Sequence, residues 1–352
     1  MWKRTERLLL PLPPCWIPSE PCWPACLGGI LTKTSEEPAR RRGQRTAQRR
    51  DPKAINLDTK YDKGCTLRTN AKAGQMCCTS ASTKYLPGSP VSAGCASKRG
   101  VAGSDVVLLM GQSNMSGRGR DYDADTDGPN HPRIQQWSRA NTIVTASEHL
   151  EHADFGVVSE TSVGMGAAFG RSLLETLPED RNVLLVPTAY GGTALVNGPW
   201  SVGGHLFEDA VTRMEAALAS NEATGNCVAA VLWHQGEADA NVGIDQETYR
   251  STWTDMISTL RSRIPEAEEA PIILGEFTPE WVSNNVATTA PILAAIRAIP
   301  DSVPFTAVAP SDGLSVNAGD VIHFDGVSQR DYGRRYFDKL GEAIENNHAQ
   351  LS

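Results

Sequence analysis

The chain has 352 residues, 40% of them hydrophobic, enough for one large core or two smaller ones. Charge is unevenly placed: residues 1–100 hold 18 Lys and Arg against 7 Asp and Glu, and residues 101–352 hold 15 against 34. So large an acidic excess excludes nucleic acid or an anionic membrane as the partner of the longer part, because both require a basic face.

The opening "MWKRTERLLLPLPPCWIPSEPCWPAC" is basic and then briefly apolar, as a secretory leader is. Four prolines between positions 11 and 18 interrupt the apolar stretch, which makes it a poor signal and leaves localisation unassigned. No later run approaches the ~18 uninterrupted apolar residues of a membrane span, so a soluble protein is expected. The basic run "ARRRGQRTAQRRDPK" reads as solvated disorder rather than a nucleic-acid arm, and residues 54–100 lack helical or alternating periodicity. Residues 1–100 are therefore expected to be a basic, Cys-containing extension or an over-long gene start, with one folded domain over 101–352. Cys15, Cys22, Cys26, Cys65, Cys77, Cys78 and Cys95 fall in the first hundred residues without forming paired Cys-x-x-Cys knuckles. Cys227 alone follows, so the folded part is expected to owe nothing to disulfides, with Cys227 a buried, inert thiol.

From Gly103 the pattern becomes apolar runs of strand length alternating with amphipathic stretches. "DVVLLM" (105–110) predicts a buried strand, and "SVGMGAAFGRSLLETL" (162–177) a helix capped by Ser162. "NVLLVPTA", "CVAAVLW", "PIILGEF" and "PFTAVA" predict further strands. Helices are expected at "LFEDAVTRMEAALAS", "QETYRSTWTDMISTLRSRI", "TTAPILAAIRAI" and the closing "SQRDYGRRYFDKLGEAIENN". In the second of these, Tyr249, Trp253, Met256, Ile257, Leu260 and Ile264 recur at helical spacing and read as core. Continuous apolar strands between helices indicate a three-layer α/β/α sandwich around a central parallel sheet. Right-handed crossovers then bring all strand-to-helix loops to one edge, where ligands bind in such folds.

Those loops hold the residues with chemistry. "GQSNMSGRG" places Ser113 between the amides of Gln112 and Asn114, which can brace a tight turn that projects the hydroxyl. A hydroxyl nucleophile needs a base, and the base an orienting group. Among seven histidines only His323 has an acid three positions earlier in a Gly-rich loop, Asp320 of "GDVIHFDG". The N–H groups of Ser113, Gly191 and Gly192 are backbone donors for an oxyanion, and the Gln235 amide of "WHQGEAD" adds a side-chain donor. Glu237 and Asp239 are either partners of the histidine or solvated acids.

"GQSNMSGRG", "AYGGT", "WHQGEAD" and "GDVIHFD", in that order, resemble the SGNH-hydrolase superfamily, and within it the sialate O-acetylesterase domain, similar to carbohydrate esterase family 6. The resemblance covers about residues 104–342 and implies a flavodoxin-like sandwich and a serine esterase acting on O-acetylated carbohydrate, with no metal or cofactor. It implies Ser113 as nucleophile, His323 as general base and acid, Asp320 as orienting carboxylate, and Ser113, Gly191 or Gly192, and Gln235 as oxyanion donors. Glu237 is expected to assist or replace Asp320. Tyr190, Asn197, Trp200 and Trp281 are candidates for a sugar-binding rim. Acetylated xylan, sialic acid or another acetylated glycan all suit such a cleft. A non-catalytic carbohydrate-binding protein on the same fold is the alternative, and it would predict a broken constellation, whereas Ser113, Asp320 and His323 are all present.

Overall fold

The computed structural model describes residues 90–129, 131–220 and 225–347. The expectations for residues 1–89, including the basic run and six of the cysteines, lie outside the described residues, as does His348. In chain order the elements are α1 (Ala93–Ala96), β1 (Gly103–Gly111), α2 (Ser113–Ser116), α3 (Ala124–Asp127), β2 (Ile134–Trp137), β3 (Ile143–Thr145), α4 (Gly166–Leu174), β4 (Arg181–Pro187), α5 (His205–Leu218) and β5 (Cys227–His234). They continue with α6 (Glu237–Asn241), α7 (Gln246–Arg263), β6 (Ile272–Gly275), α8 (Pro279–Asn284), α9 (Val286–Ala298), β7 (Thr306–Ala309), β8 (Val316–Asn317), β9 (Asp320–Phe324), α10 (Gly326–Asp338) and α11 (Leu340–Glu345).

Seven strands form one sheet in the order β3, β2, β4, β1, β5, β6, β7. Every pairing is parallel except that of the edge strand β3 with β2. Strand β1 shows why its sequence is a continuous apolar run. Val106, Leu108 and Met110 enter the core on one face of the sheet, and Val107 and Leu109 the core on the other. A two-residue side-chain period therefore leaves no face for water, and the sheet is covered on both sides as the sandwich requires. The six apolar residues of α7 and its C-cap, from Tyr249 to Ile264, are all buried in the first of these cores. From β1 the chain moves to β2 and β4 on one side, and from β5 to β6 and β7 on the other. The neighbours β1 and β5 therefore flank the switch in direction, where a crevice opens beyond the strand ends.

Several local expectations change. Strands β2 and β3 are short and half polar, and apolar patterning does not reveal them. Helix α4 begins at Gly166 with no side-chain cap at its N-cap, Met165. Its entry is held instead by the Glu148 carboxylate, which accepts from Gly164 N and Ala167 N at 3.0 and 3.2 Å. The closing helix breaks at Lys339 into α10 and α11. Among the described residues, no helix is long and apolar enough to cross a membrane.

The expectation about disulfides is overturned. Cys95 and Cys227 are bonded to each other across 132 positions, so Cys227 is not a free thiol. Residues 90–100 accordingly belong to the folded unit. Helix α1 carries Cys95, its N-cap Ser92 bonds Val228 O at 2.8 Å, and Arg99 pairs with the buried Asp105 of β1. Sequence patterning missed this because a four-residue helix has no periodicity to read.

Candidate active site

Two glycines bring the ends of β1 and β5 into register for chemistry. Gly111 (φ 131°) passes so close to the His234 backbone that any side chain there would collide with it, and Gln112 N donates to His234 O at 2.9 Å. The chain then turns directly into α2, with Ser113 at its first position and 5% exposed. Gly236 (φ 137°) makes the corresponding turn after β5, delivering Glu237 and Ala238 to the same crevice.

His323 and Asp320 lie on β9, the second strand of a small antiparallel hairpin with β8 rather than in an irregular loop. Residues three apart on a regular strand face opposite sides, but Asp320 sits at the hairpin turn. Its Oδ1 accepts from Ile322 N at 3.2 Å, a local turn that curls the carboxylate back along the chain. Oδ2 is thereby set 2.7 Å from His323 Nδ1, and His323 Nε2 stands 2.9 Å from Ser113 Oγ. A hydroxyl, an imidazole and a carboxylate thus form one line, with the ring and the acid partly exposed at 21% and 26%.

A cleft of about 650 Å³ opens at this line, bounded by Gln112, Tyr190, Gly191, Gly192, Ala238 and Ile322 among others. Tyr190, 37% exposed, stands on its rim with the more exposed Val157 and Val242. The other rim candidates are elsewhere. Trp200 is fully buried, edge-on to Trp233 at 5.6 Å and donating from Nε1 to Thr193 Oγ1, so it is core. Trp281 is 5% exposed and packs on Phe277. Asn197 is exposed at a turn with φ 52° and is not among the residues lining the cleft.

Two of the expected oxyanion donors are engaged. Gly191 N donates to Asp154 Oδ2 at 3.0 Å, although Gly191 itself lies against Ser113: a Cβ at residue 191 would stand 3.4 Å from the serine Cβ and strike Arg118. Gln235 is fully buried, and its Nε2 donates to Asp239 Oδ2 and Thr193 O. Asp239, far from being a solvated acid, is buried and also accepts from Leu195 N and Val196 N, and burial pushes its carboxyl up. Among the described residues, neither the Ser113 N–H, at the first position of α2, nor the Gly192 N–H donates to a backbone acceptor.

Glu237 does not reach His323. Its Oε1 accepts from Asn114 Nδ2 at 2.9 Å and lies 3.3 Å from Nε2 of a different histidine, the fully buried His234. Burial opposes its ionisation, but the nearby His234 ring and the hydrogen bond from Asn114 prevail and hold its carboxyl below the ordinary value. Sequence reading also missed Arg118 and Asp154, which line the cleft 2.6 Å apart. Burial raises the Asp154 carboxyl, and the Arg118 hydrogen bond and charge more than reverse this. Arg118 stands in the "SGRG" that ends the first motif, and that adjacency is the only signal it offers.

Comparison with known proteins agrees with this architecture. Residues 103–342 match the family model described as carbohydrate esterase, sialic acid-specific acetylesterase. A probable carbohydrate esterase of Arabidopsis thaliana is 31% identical over 175 residues, 45% of this chain and 63% of that protein, so the chain spans less than two thirds of that relative. A probable 9-O-acetyl-N-acetylneuraminic acid deacetylase of Escherichia coli K12 is 26% identical over 228 residues, 51% of this chain and 68% of that protein. The crystal structure of NanS superposes with a TM-score of 0.58 at 20% identity, covering 68% of this chain and 97% of that one, which is a likeness of fold. With the matched region running from the start of β1 to α11, the chain belongs to the carbohydrate esterase family of the sialic acid-specific acetylesterase type.

Proposed function

We propose that this protein is a carboxylic ester hydrolase that removes O-acetyl groups from carbohydrate, with Ser113 as nucleophile, His323 as general base and acid, and Asp320 as the group that orients the ring. The observation that carries the reading is the line from Ser113 Oγ to His323 Nε2 to His323 Nδ1 to Asp320 Oδ2, at 2.9 and 2.7 Å, opening on a cleft. With Nδ1–H donated to Asp320, Nε2 is left to accept the serine proton. Oγ then attacks the acetyl carbonyl, and the carbonyl π electrons move onto oxygen. The Ser113 and Gly192 N–H groups meet that charge. Collapse breaks the bond to the sugar oxygen, which takes the proton from Nε2 and leaves as a hydroxyl, and water repeats the sequence on the acetyl-serine to release acetate. Family membership, together with similarity to a probable carbohydrate esterase and a probable 9-O-acetyl-N-acetylneuraminic acid deacetylase, supports acetylated carbohydrate as the substrate class. The apolar rim of Val157, Tyr190 and Val242 suits the acetyl methyl and the C–H face of a sugar ring.

The test is acetate release by the purified chain from 4-nitrophenyl acetate and from a panel of acetylated xylan and acetylated sialic acid. Ser113→Ala is expected to lower kcat by at least about 10³-fold. Equal turnover by that variant would remove the serine from the mechanism.

A further inference from the structure

We propose that the catalytic cleft continues past His323 into a second arm that binds a neutral sugar unit next to the acetylated one. The preferred substrate is then an O-acetylated oligosaccharide rather than a free acetylated monosaccharide. The inference rests on the hydrolase reading above and extends it. A cleft of about 700 Å³, bounded by Arg120, Val158, Ser159, Thr161 and Ser162 among others, adjoins the one at Ser113. The two have Arg118, Val157 and His323 in common, so they meet across the imidazole. Tyr190, Gly192 and Ala238 bound only the first arm, and Asp320 only the second. The direction of the chemistry decides what each arm holds. The oxyanion forms against the N–H groups of Ser113 and Gly192, in the first arm. The sugar oxygen leaves toward His323 Nε2, from which it takes its proton. The alcohol part of the ester is thus turned toward the junction, and a chain attached to that sugar continues into the second arm.

The second arm has the mixed chemistry a sugar ring requires. Val157, 79% exposed, stands at the junction as an apolar surface for the C–H face of a ring. Ser162 is 8% exposed, and its hydroxyl has no hydrogen-bond partner among the described residues yet is not sealed from solvent. Arg120 is anchored on one side, Nη1 donating to Ala318 O at 3.1 Å and its backbone N to Asn317 Oδ1 at 3.0 Å. Its Nε and Nη2 have no acceptor among the described residues, which leaves the parallel N–H pair of the guanidinium edge for vicinal sugar oxygens. Arg118 is already paired with Asp154, and the acids Asp121 and Asp320 stand in the same arm as Arg120. No net positive charge is left to draw an anion, so the fit is to a neutral, hydroxyl-bearing unit.

The test compares kcat/KM within pairs that share the acetylated unit. One pair is singly acetylated xylose and xylotriose carrying the same acetyl group on its terminal unit; the other is 9-O-acetyl-N-acetylneuraminic acid, free and linked to lactose. The linked substrate is expected to be favoured about tenfold in at least one pair, mostly through KM, as for binding energy from a part of the substrate remote from the reacting bond. Thr161→Trp fills the arm with an indole at an exposed position, and Arg120→Ala removes the donor pair. Each is expected to bring the ratio below about threefold. Both rates in a ratio pass through the same serine–histidine line, so a shift of the β8–β9 hairpin lowers them together and leaves the ratio as it was. Wild-type ratios below about threefold in both pairs, with 4-nitrophenyl acetate still hydrolysed, overturn the second arm and leave the hydrolase reading standing. A preference that persists undiminished in Thr161→Trp also overturns it, since the neighbouring unit then lies elsewhere. A wild type inert toward every ester, 4-nitrophenyl acetate included, overturns both.

Discussion

Glu237 and Asn114 illustrate at the residue scale how the line from Ser113 through His323 to Asp320 depends on side chains outside it. Asn114 directly follows Ser113, and its amide bonds both sides of His323: Nδ2 donates to Ile322 O at 3.0 Å, and Phe324 N donates to Oδ1 at 3.2 Å. The same Nδ2 donates to Glu237, so the acid fixes the amide that fixes the strand carrying His323. A displacement of about 1 Å in such a line can cost 10²-fold in rate. Asn114→Ala is therefore expected to lower kcat on the order of 100-fold with little change in KM, read by steady-state kinetics. Glu237→Gln keeps an acceptor for Asn114 and should lose much less. An equal or larger loss from Glu237→Gln would mean that the carboxylate charge, not the hydrogen bond, is what matters.

At the scale of elements, α10 is tied to the segment between β1 and β2 by the pair of Arg330 with the fully buried Asp127 of α3. Burial raises the Asp127 carboxyl, but the hydrogen bond and charge of Arg330 outweigh it and hold the group below its ordinary 3.8. A carboxyl depressed by folding contributes stability above its unfolded value, and that contribution disappears as pH falls through the folded value. The melting temperature of the native protein should thus exceed that of Asp127→Asn by a constant margin near pH 6, and the margin should shrink below about pH 3.8. A margin that stays the same down to pH 2.5 would contradict the ion-pair account. Glu148 and Asp239 are raised by burial and act in the opposite sense, so the comparison between variants, not the native curve alone, carries the test.

For the whole molecule, the Cys95–Cys227 bond joins the segment before β1 to the first residue of β5, the end of that strand opposite the cleft. Closing a loop of 132 positions restricts the unfolded chain by about 4–5 kcal/mol on chain-entropy grounds. In a domain of this size that corresponds to a melting temperature higher by roughly 10 °C. Replacing both cysteines with serine should lower the melting temperature by about that amount while leaving kcat within about twofold, since the bond and the serine–histidine line sit at opposite edges of the sheet. A collapse of kcat in well-folded variant protein would show that the two edges are coupled.

Periodicity and loop chemistry are local properties, and they were readable in the chain itself. Apolar runs such as "DVVLLM" and "CVAAVLW" announce a sheet buried on both faces, whereas Ser113, Asp320 and His323 can be picked out only because the four motifs around them stand in the order of the SGNH hydrolases; each alone is an ordinary turn or surface residue. Partnership is not local. Whether Glu237 faces His323 or His234, whether the Gln235 hydrogens are free or held by Asp239, whether Trp200 lines a rim or a core, and whether Cys227 meets Cys95 all depend on which residues more than a few positions away occupy the adjoining space. Only the packed fold, which sets the β8–β9 hairpin beside the ends of β1 and β5, determines those neighbours.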